Sequence, residues 1–501
     1  MLDLQPTTFE EFEREAKRGN VVPVVRTVLA DLQTPVGAFL RIAGDAPYAF
    51  LLESIEGGER VARYSFLGAN PWMIVRGRGS QTIVETNGSR EVHDKNATDF
   101  VREYFREKKL ARRAGLAPLA GGAVGYLGYD AARWFEPVLN VDGSASHETD
   151  DAVWMFFRTV VAFDRVRQQM EITSVVFTDE AGGDRTHLKE LYESAVAETE
   201  RIENDLNIDS APTPSGRQHT GDTTVHFQSN WPRKDFEAAV ETIKEHIRAG
   251  DCYQVVIAQQ FTKPTPAQPL AIYRALRATN PSPYMYFLRL GDETIIGASP
   301  EMLVRCHGQR LDYRPIAGTR KRGATEAEDW MLGEEMRNDE KEVAEHTMLV
   351  DLGRNDLGRV SDYGSVSVEE LMTIERYSQV QHLVTSLRSR LRDGLDRFDA
   401  LASCFPAGTV SGAPKIRAME IIRELEPSAR GVYAGAILYV DYADSLDSCI
   451  AIRTIVLRDG VATVQAGAGI VADSVPEREY EECVSKARAL FRAVELAEKG
   501  L

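Results

Sequence analysis

The chain has 501 residues, 43% hydrophobic and 27% charged, an ordinary globular composition with room for two or three domains and a large core. A formal net charge of −17 argues against nucleic acid or anionic membrane as a partner, because both need basic surface. No apolar run approaches the roughly 20 residues that cross a bilayer, and five scattered cysteines with no C-x-x-C pair suit reduced, buried thiols, so a cytoplasmic location is the expectation.

The opening stretch MLDLQPTTFEEFEREAKRG is acidic and helical rather than a secretory signal. Thr8 and Glu11 form an S/T-x-x-E capping box, and Gly19 supplies a stop. Short apolar runs follow (AFLLES, ARYSFLG, WMIVRGRG, QTIVETNG), bounded by turn residues, and read as antiparallel strands. GGAVGYLGYD, Gly121 to Asp130, lacks the G-x-G-x-x-G spacing of a dinucleotide loop. VWMFFRTVVAFDRVRQQMEITSVVF reads as a strand hairpin and RTHLKELYESAVAETERIENDL as a helix. From Asn204 to Asn230 the chain turns rich in Ser, Thr, Pro, Gly and Asp. That predicts a linker or exposed loop over 204–231, between a first domain, 1–203, and a second, 232–501.

In the second half, PRKDFEAAVETIKEHIRAG is an amphipathic helix ended by Gly250. Strand-like runs CYQVVIAQQF, MYFLRLGDETIIGA and MLVRCHGQRLDYRPIAG come next. Helices are predicted over 330–349, 396–402 and 413–425. GVYAGAILYV, SCIAIRTIVLRDG and VATVQAGAGIVA then read as consecutive antiparallel strands, and a last helix covers 476–496. The class is α+β with antiparallel sheets rather than a βαβ nucleotide fold.

The segment Glu342-Val343-Ala344-Glu345-His346 looks like a metalloprotease helix, but H-E-x-x-H needs a second histidine and the inverted motif needs one at 342. One histidine and two carboxylates make a poor zinc set, and alone they fit a solvated charged face. The last helix changes that weighting: Glu479 and Glu482 are again three apart, with Lys486 one turn on. Two such faces converging would repel unless a cation lay between them, and hard oxygen ligands select Mg²⁺. FPAGTVSGAPKIRAME, Phe405 to Glu420, lacks Walker spacing and reads as a tight loop feeding a helix that starts near Ser411 or Gly412. Gly467 and Gly469 either let a ligand approach backbone amides or mark a bulge. His382 is either a proton shuttle or structural. Arg453, read as part of an apolar strand, wants a carboxylate from the protein or a ligand. Together these suit a small substrate with several carboxylates.

PIAGTRKRG, KEVAEHTMLVDLGRNDLGRV, FPAGTVSGAPKIRAMEII, AIRT, GAGIVADSVPEREYEE and SKARAL together resemble the chorismate-binding enzymes, and LLES, RYSFLG and GGAVGYLGYDAARWFE resemble their anthranilate synthase component I branch. The resemblance implies that family's fold, large antiparallel sheets packed as a sandwich with flanking helices. It also implies Mg²⁺-dependent conversion of chorismate and ammonia to anthranilate and pyruvate in the second domain. It places Glu345 and Glu482 as Mg²⁺ ligands with Glu342 and Glu479 in support. Tyr433, Arg453 and the amides of Gly467, Ala468 and Gly469 would bind substrate carboxylates, with Lys486 nearby and Thr319 lining the pocket. Glu301 would be the general acid, and His382 and Thr409 would serve pyruvate elimination. Aminodeoxychorismate synthases carry a nucleophilic lysine where this chain has Ala317, and isochorismate and salicylate synthases a lysine base where it has Gln254. Neither residue here can play those parts, which leaves ammonia as the nucleophile. Ala258-Gln259-Gln260 departs from the family's usual S-Q-R and puts a local ion pair in doubt.

The first domain is implied to be regulatory. Leu52, Glu53, Ser54, Tyr64 and Ser65, with Asn280, Pro281, Pro283, Tyr284 and Met285, correspond to a tryptophan feedback site. No Cys-His-Glu glutaminase set is read in the chain, so a separate glutamine amidotransferase is the expected partner, in a heterotetramer of two of each subunit. Two rival readings remain: an aminodeoxyisochorismate or aminodeoxychorismate synthase component I, and a catalytically silent tryptophan-binding subunit.

Overall fold

The short apolar runs pair side by side into two antiparallel sheets that face each other across a shared core. The computed structural model describes residues 4–55, 63–86, 88–140, 149–207, 227–377 and 380–500. Among these residues one sheet has 13 strands and the other 12, and the sandwich with flanking helices is the expected architecture.

Both sheets run continuously through the two halves of the sequence. In the larger one, Val21–Leu29, Gln169–Phe177, Thr159–Asp164, Tyr64–Ala69 and Tyr48–Glu53 lead through Tyr284–Leu290 into Glu293–Ser299, Thr454–Arg458, Val461–Ile470 and Gln254–Pro264. In the smaller one, Gly122–Leu127 pairs with Ala436–Asp441. Alternation along each strand sends Phe50, Tyr286 and Leu288 from one sheet against Phe157, Tyr126 and Ile437 from the other, one closed apolar cluster. The last helix, Pro476–Glu498, lies on Val461–Ile470 and on helix Pro269–Thr279. It buries Ala487, Leu490, Ala493 and Val494, the three-and-four spacing of an amphipathic stripe.

Several expectations are corrected. The run 330–349 is two helices, Glu326–Asn338 and Glu340–Gly358, because Asp339 caps the second by accepting the N–H groups of Lys341 and Glu342. The helix expected over 413–425 begins at Lys415, since Gly412 and Ala413 are taken by pairing with Val255 and Gln254. In VWMFFRTVVAFDRV the chain changes sheet at Arg158, so only Thr159–Asp164 and Gln169–Phe177 form a hairpin. In SCIAIRTIVL the chain also changes sheet, between Ser445–Ile450 and Thr454–Arg458, so Arg453 is not inside a strand. Of the linker expected over 204–231, residues 208–226 lie outside the described residues, 204–206 complete helix Arg185–Leu206, and Gln228–Ser229 is a short edge strand.

All five cysteines are free and buried, as read. Among the described residues no helix is long and apolar enough to cross a membrane. The missing arginine of the S-Q-R pattern leaves no naked carboxylate nearby: Glu426 receives Arg430 at 2.6 Å and the Ala258 N–H at 2.8 Å, while Gln260 Oε1 accepts from Ser428.

A second crossing matters as much as that at Arg453. Glu293–Ser299 belongs to one sheet and Met302–His307 to the other, joined by Pro300 and Glu301. The two crossings lie side by side: Ile450 N–H donates to Glu301 O at 3.1 Å and Ala298 N–H to Arg453 O at 3.1 Å.

Candidate functional site

Beside these crossings the sheets part around a cavity of about 840 Å³. Its wall carries Glu301, Thr319, Glu342, Glu345, His382, Thr409, Tyr433, Arg453, Gly467, Gly469, Glu479, Glu482 and Lys486. Of the residues expected at the active site only Ala468 is off the wall: strand alternation turns its methyl to the opposite face, into a cluster with Ile470 and Cys483. Gln254 and Ala317 also line the cavity. A Cβ on Gly467 would lie 2.7 Å from Ile257 O and one on Gly469 would collide with Gln254 Nε2, so only glycine keeps this floor open.

Glu301 sits on a crossing where no ladder bond claims its side chain, and it is 7% exposed. Burial pushes its carboxyl up to about 8, against the pull of Thr409 and Lys486. Thr409, in the short turn Gly408–Val410, has a buried Oγ1 that faces the Glu301 carboxyl without a well-formed hydrogen bond among the described residues. Arg453 occupies the other crossing at φ +51°, and burial lowers its pKa. Among the described residues its guanidinium has no carboxylate partner; Nη1 donates to Asn280 Oδ1 at 3.4 Å. This is an arginine waiting for an anion.

His382 Nδ1 lies 2.8 Å from Gly318 O and 3.1 Å from Thr319 Oγ1. A carbonyl only accepts, so Nδ1 carries the proton and Nε2 keeps its lone pair. Burial lowers the His382 pKa, which favours that neutral form. Gly318 is at φ +63° in an irregularity of strand Ile316–Lys321, where the register slips between Ala317 and Arg320. The bulge re-aims Thr319 toward the cavity.

Glu342 and Glu345 project from helix Glu340–Gly358, and Glu479 and Glu482 from Pro476–Glu498. Burial raises the pKa of Glu345, with Glu342 and Glu482 adding to it, and burial raises that of Glu479, with Glu482 adding. Two cations meet the cluster: Arg320 Nη1 is 2.8 Å from Glu342, and Lys486 Nζ is 2.8 Å from Glu482 and donates to Gly467 O at 3.1 Å. Among the described residues no three His, Cys, Asp or Glu groups are drawn together closely enough to cage an ion. His346 stands apart from the cavity, fully buried, with Nε2 2.6 Å from Thr385 Oγ1.

A second cavity, about 450 Å³, lies between the two sheets, with Tyr284, Met285 and Tyr286 on its wall. Leu52, Glu53, Ser54, Tyr64, Pro283, Tyr284 and Met285 line it, as expected, and Ser65, Asn280 and Pro281 do not. Ser54 Oγ is buried and has no hydrogen-bond partner among the described residues. The Glu53 carboxylate is spent within the protein, on Tyr273 Oη at 2.6 Å and Arg277 Nε at 3.0 Å. Arg63, Arg305, Tyr439 and Asp447 also line this cavity and were not expected there. Arg305 and Asp447 are cross-strand partners joined at 2.8 Å, and only the strand register could have revealed them.

The chorismate binding enzyme family profile matches residues 48–492. Anthranilate synthase component 1 from Acetivibrio thermocellus is 46% identical over 98% of both chains. The Pseudomonas putida protein of that name is 45% identical over 98% of this chain and 99% of its own. Among solved structures, anthranilate synthase component I from Streptococcus pneumoniae TIGR4 superposes with a TM-score of 0.75 at 35% identity, covering 92% of this chain and 98% of that one. The menaquinone-specific isochorismate synthase from Escherichia coli shares the fold, with a TM-score of 0.69 at 19% identity over 96% of this chain and 97% of its own. The chain therefore belongs to the chorismate-binding enzymes, within the anthranilate synthase component I group, and is a chorismate-utilising enzyme.

Proposed function

We propose that the large cavity turns chorismate and ammonia into anthranilate and pyruvate, the first committed step toward tryptophan. The observation that carries this reading is a carboxyl held protonated, Glu301, beside an arginine with no carboxylate of its own, Arg453. Arg453, Tyr433 and the amides at Gly467–Gly469 bind the substrate's carboxylates. As the ammonia nitrogen bonds to ring C2, the ring double bonds shift and the C4–O bond breaks. Hydroxide is a poor leaving group, and Glu301 gives it the proton it needs. His382 Nε2 then takes the C2 proton while the C3–O bond breaks and pyruvate departs, with Thr409 close to the departing group.

Four carboxylates on one wall, where burial and their acidic neighbours raise the pKa of Glu345 and Glu479, are a hard-oxygen set that suits Mg²⁺ with waters and substrate completing its shell. Glu345 and Glu482 would hold the ion, with Glu342 and Glu479 in support. Once bound, it supplies positive charge for the substrate's ring carboxylate. Arg320 and Lys486 meanwhile neutralise Glu342 and Glu482.

The second cavity takes tryptophan as feedback inhibitor, its aromatic lining and the open Ser54 hydroxyl suiting an aromatic amino acid. Residues 1–203 and 232–501 act as regulatory and catalytic parts in a cytoplasmic enzyme. Ammonia comes from a glutamine amidotransferase subunit, two of each chain forming the assembly. One assay decides the chemistry: chorismate, Mg²⁺ and a concentrated ammonium salt, followed by anthranilate fluorescence and by pyruvate. Both products support the reading. An amino product without pyruvate indicates a reaction stopped after the first step, and neither product refutes catalysis by this cavity.

A further inference from the structure

Asn280 resembles a residue of the inhibitor site in sequence but does not line the small cavity. Its Oδ1 instead accepts from Arg453 Nη1, on the wall of the large one. We infer that Asn280 is a positioning residue that aims Arg453 at the substrate, and that the small cavity acts on the large one through it. The second clause rests on the small cavity being the inhibitor site.

The geometry supports a mechanical link. Asn280 is the C-cap of helix Pro269–Thr279. Only Pro281, Ser282 and Pro283 separate it from Tyr284, and Pro283, Tyr284 and Met285 all line the small cavity. Besides Ala298 N–H, which donates to Arg453 O, strand Tyr284–Leu290 holds the crossing through Tyr286, whose Oη is 2.6 Å from Thr454 Oγ1 and donates to Ile452 O at 3.4 Å. Tyr286 lines the small cavity too. The helix end that carries Asn280 is in turn tied, through Arg277 and Tyr273, to Glu53, the ladder partner of Met285 on the neighbouring strand. Asn280 and Tyr286 therefore hold 452–454 on both sides of Arg453, and Pro283–Tyr286 also wall the small cavity.

Arg453 holds φ +51°, a conformation a non-glycine residue keeps only while its surroundings fix it. Its bond to Asn280, at 3.4 Å, lies at the long end of the N–H···O range and breaks at small cost. A ligand that presses Pro283–Tyr286 away from the facing sheet would thus turn the guanidinium away without entering the substrate site. Inhibitor and chorismate would oppose each other from separate cavities, and linkage requires each to weaken the other by the same factor.

The test uses the full chain with Asn280→Ala and Asn280→Asp, reading chorismate KM and kcat with ammonium salt, and tryptophan Kd by calorimetry. Asn280→Ala should raise KM about 3-fold with kcat changed far less, the loss of one long hydrogen bond. Tryptophan should still bind, but no longer raise KM. Asn280→Asp sets a carboxylate beside Arg453 that competes with substrate, so KM should rise further. Melting curves check that both variants fold. The inference is overturned if Asn280→Ala abolishes tryptophan binding, which makes Asn280 a ligand contact, or if both variants keep wild-type KM and inhibition. A wild-type chain that binds no tryptophan would refute the inhibitor reading alone, and the KM arm would still decide the positioning of Arg453.

Discussion

Replacing Glu301 with glutamine should make the protein more stable and nearly inactive at once. The folded state holds this carboxyl at about 8, against 4.5 for an ordinary one, because burial disfavours its charge. A raised folded pKa means stability is full below pH 4.5 and is lost as pH climbs through about 8. At pH 7 the folded chain must keep protonated a group that the unfolded chain would ionise, some 2.5 units above its ordinary value. At about 1.4 kcal/mol per unit this costs about 3 kcal/mol, shrinking below about 1 kcal/mol at pH 5. Glutamine has the same shape, is neutral at both, and escapes the cost. With an unfolding entropy near 2 cal/mol/K per residue, a chain of this length gains about 1 °C of melting temperature per kcal/mol. Glu301→Gln should therefore melt about 3 °C higher than wild type at pH 7 and within about 1 °C at pH 5. Turnover should fall by about 10²–10⁴, the range of a lost general acid. Scanning calorimetry at the two pH values, with anthranilate fluorescence on the same samples, is the assay. A melting difference that does not change with pH, or a variant that keeps wild-type turnover, would refute the account of Glu301.

Other predictions probe separate parts of the molecule. Glu345→Gln or Glu482→Gln should weaken Mg²⁺ binding seen by calorimetry and raise the Mg²⁺ needed for half-maximal turnover; unchanged binding would remove both carboxylates from the metal set. Ser54→Ala should leave uninhibited turnover intact and relieve tryptophan inhibition, at no cost to the melting temperature, because its buried Oγ has no partner to lose. Gly318→Ala puts a methyl at φ +63°, 3.0 Å from Met336 Sδ and 3.1 Å from Glu342 Oε2. It should cost about 1–2 kcal/mol in denaturant titration, and shifting Glu342 should also cost Mg²⁺ affinity.

What was legible in the sequence was periodic or carried by long motifs. The three-residue spacing of Glu342 with Glu345 and of Glu479 with Glu482 showed in the chain, and both pairs do line one cavity. That they share it depends on how the strands pair, which no local pattern encodes. The break at Asp339 had a signal that was passed over: an aspartate three residues before Glu342, the start of a new helix. Arg453 had none. AIRTIVL is a run of strand-forming residues, and only a chain already committed to both sheets would bend there. Arg305 and Asp447 were invisible for the same reason, being neighbours across a ladder and 142 residues apart in sequence. The family resemblance supplied Asn280 as an inhibitor contact, and its bond to Arg453 is a fact of packing that sequence matching does not reach.

The two sheet crossings explain why the chemistry sits where it does. Within a ladder, backbone bonds are paired and side chains are packed against the facing sheet. Where a strand leaves one sheet for the other, pairing lapses for a few residues and the side chains there face the gap between the layers. Glu301 and Arg453 are on two such crossings, bonded to each other through Ile450 N–H and Ala298 N–H. A buried acid kept neutral and a buried arginine without a carboxylate partner among the described residues each carry a cost that a packed core would not tolerate. At a crossing that cost buys a site with a proton to give and a charge to offer, held in a rigid frame. The small cavity lies between the same two sheets, with Tyr284, Met285 and Tyr286 on its wall. On the proposed reading the inhibitor and substrate cavities are built from the same two sheets, so feedback between them would need no hinge between separate bodies.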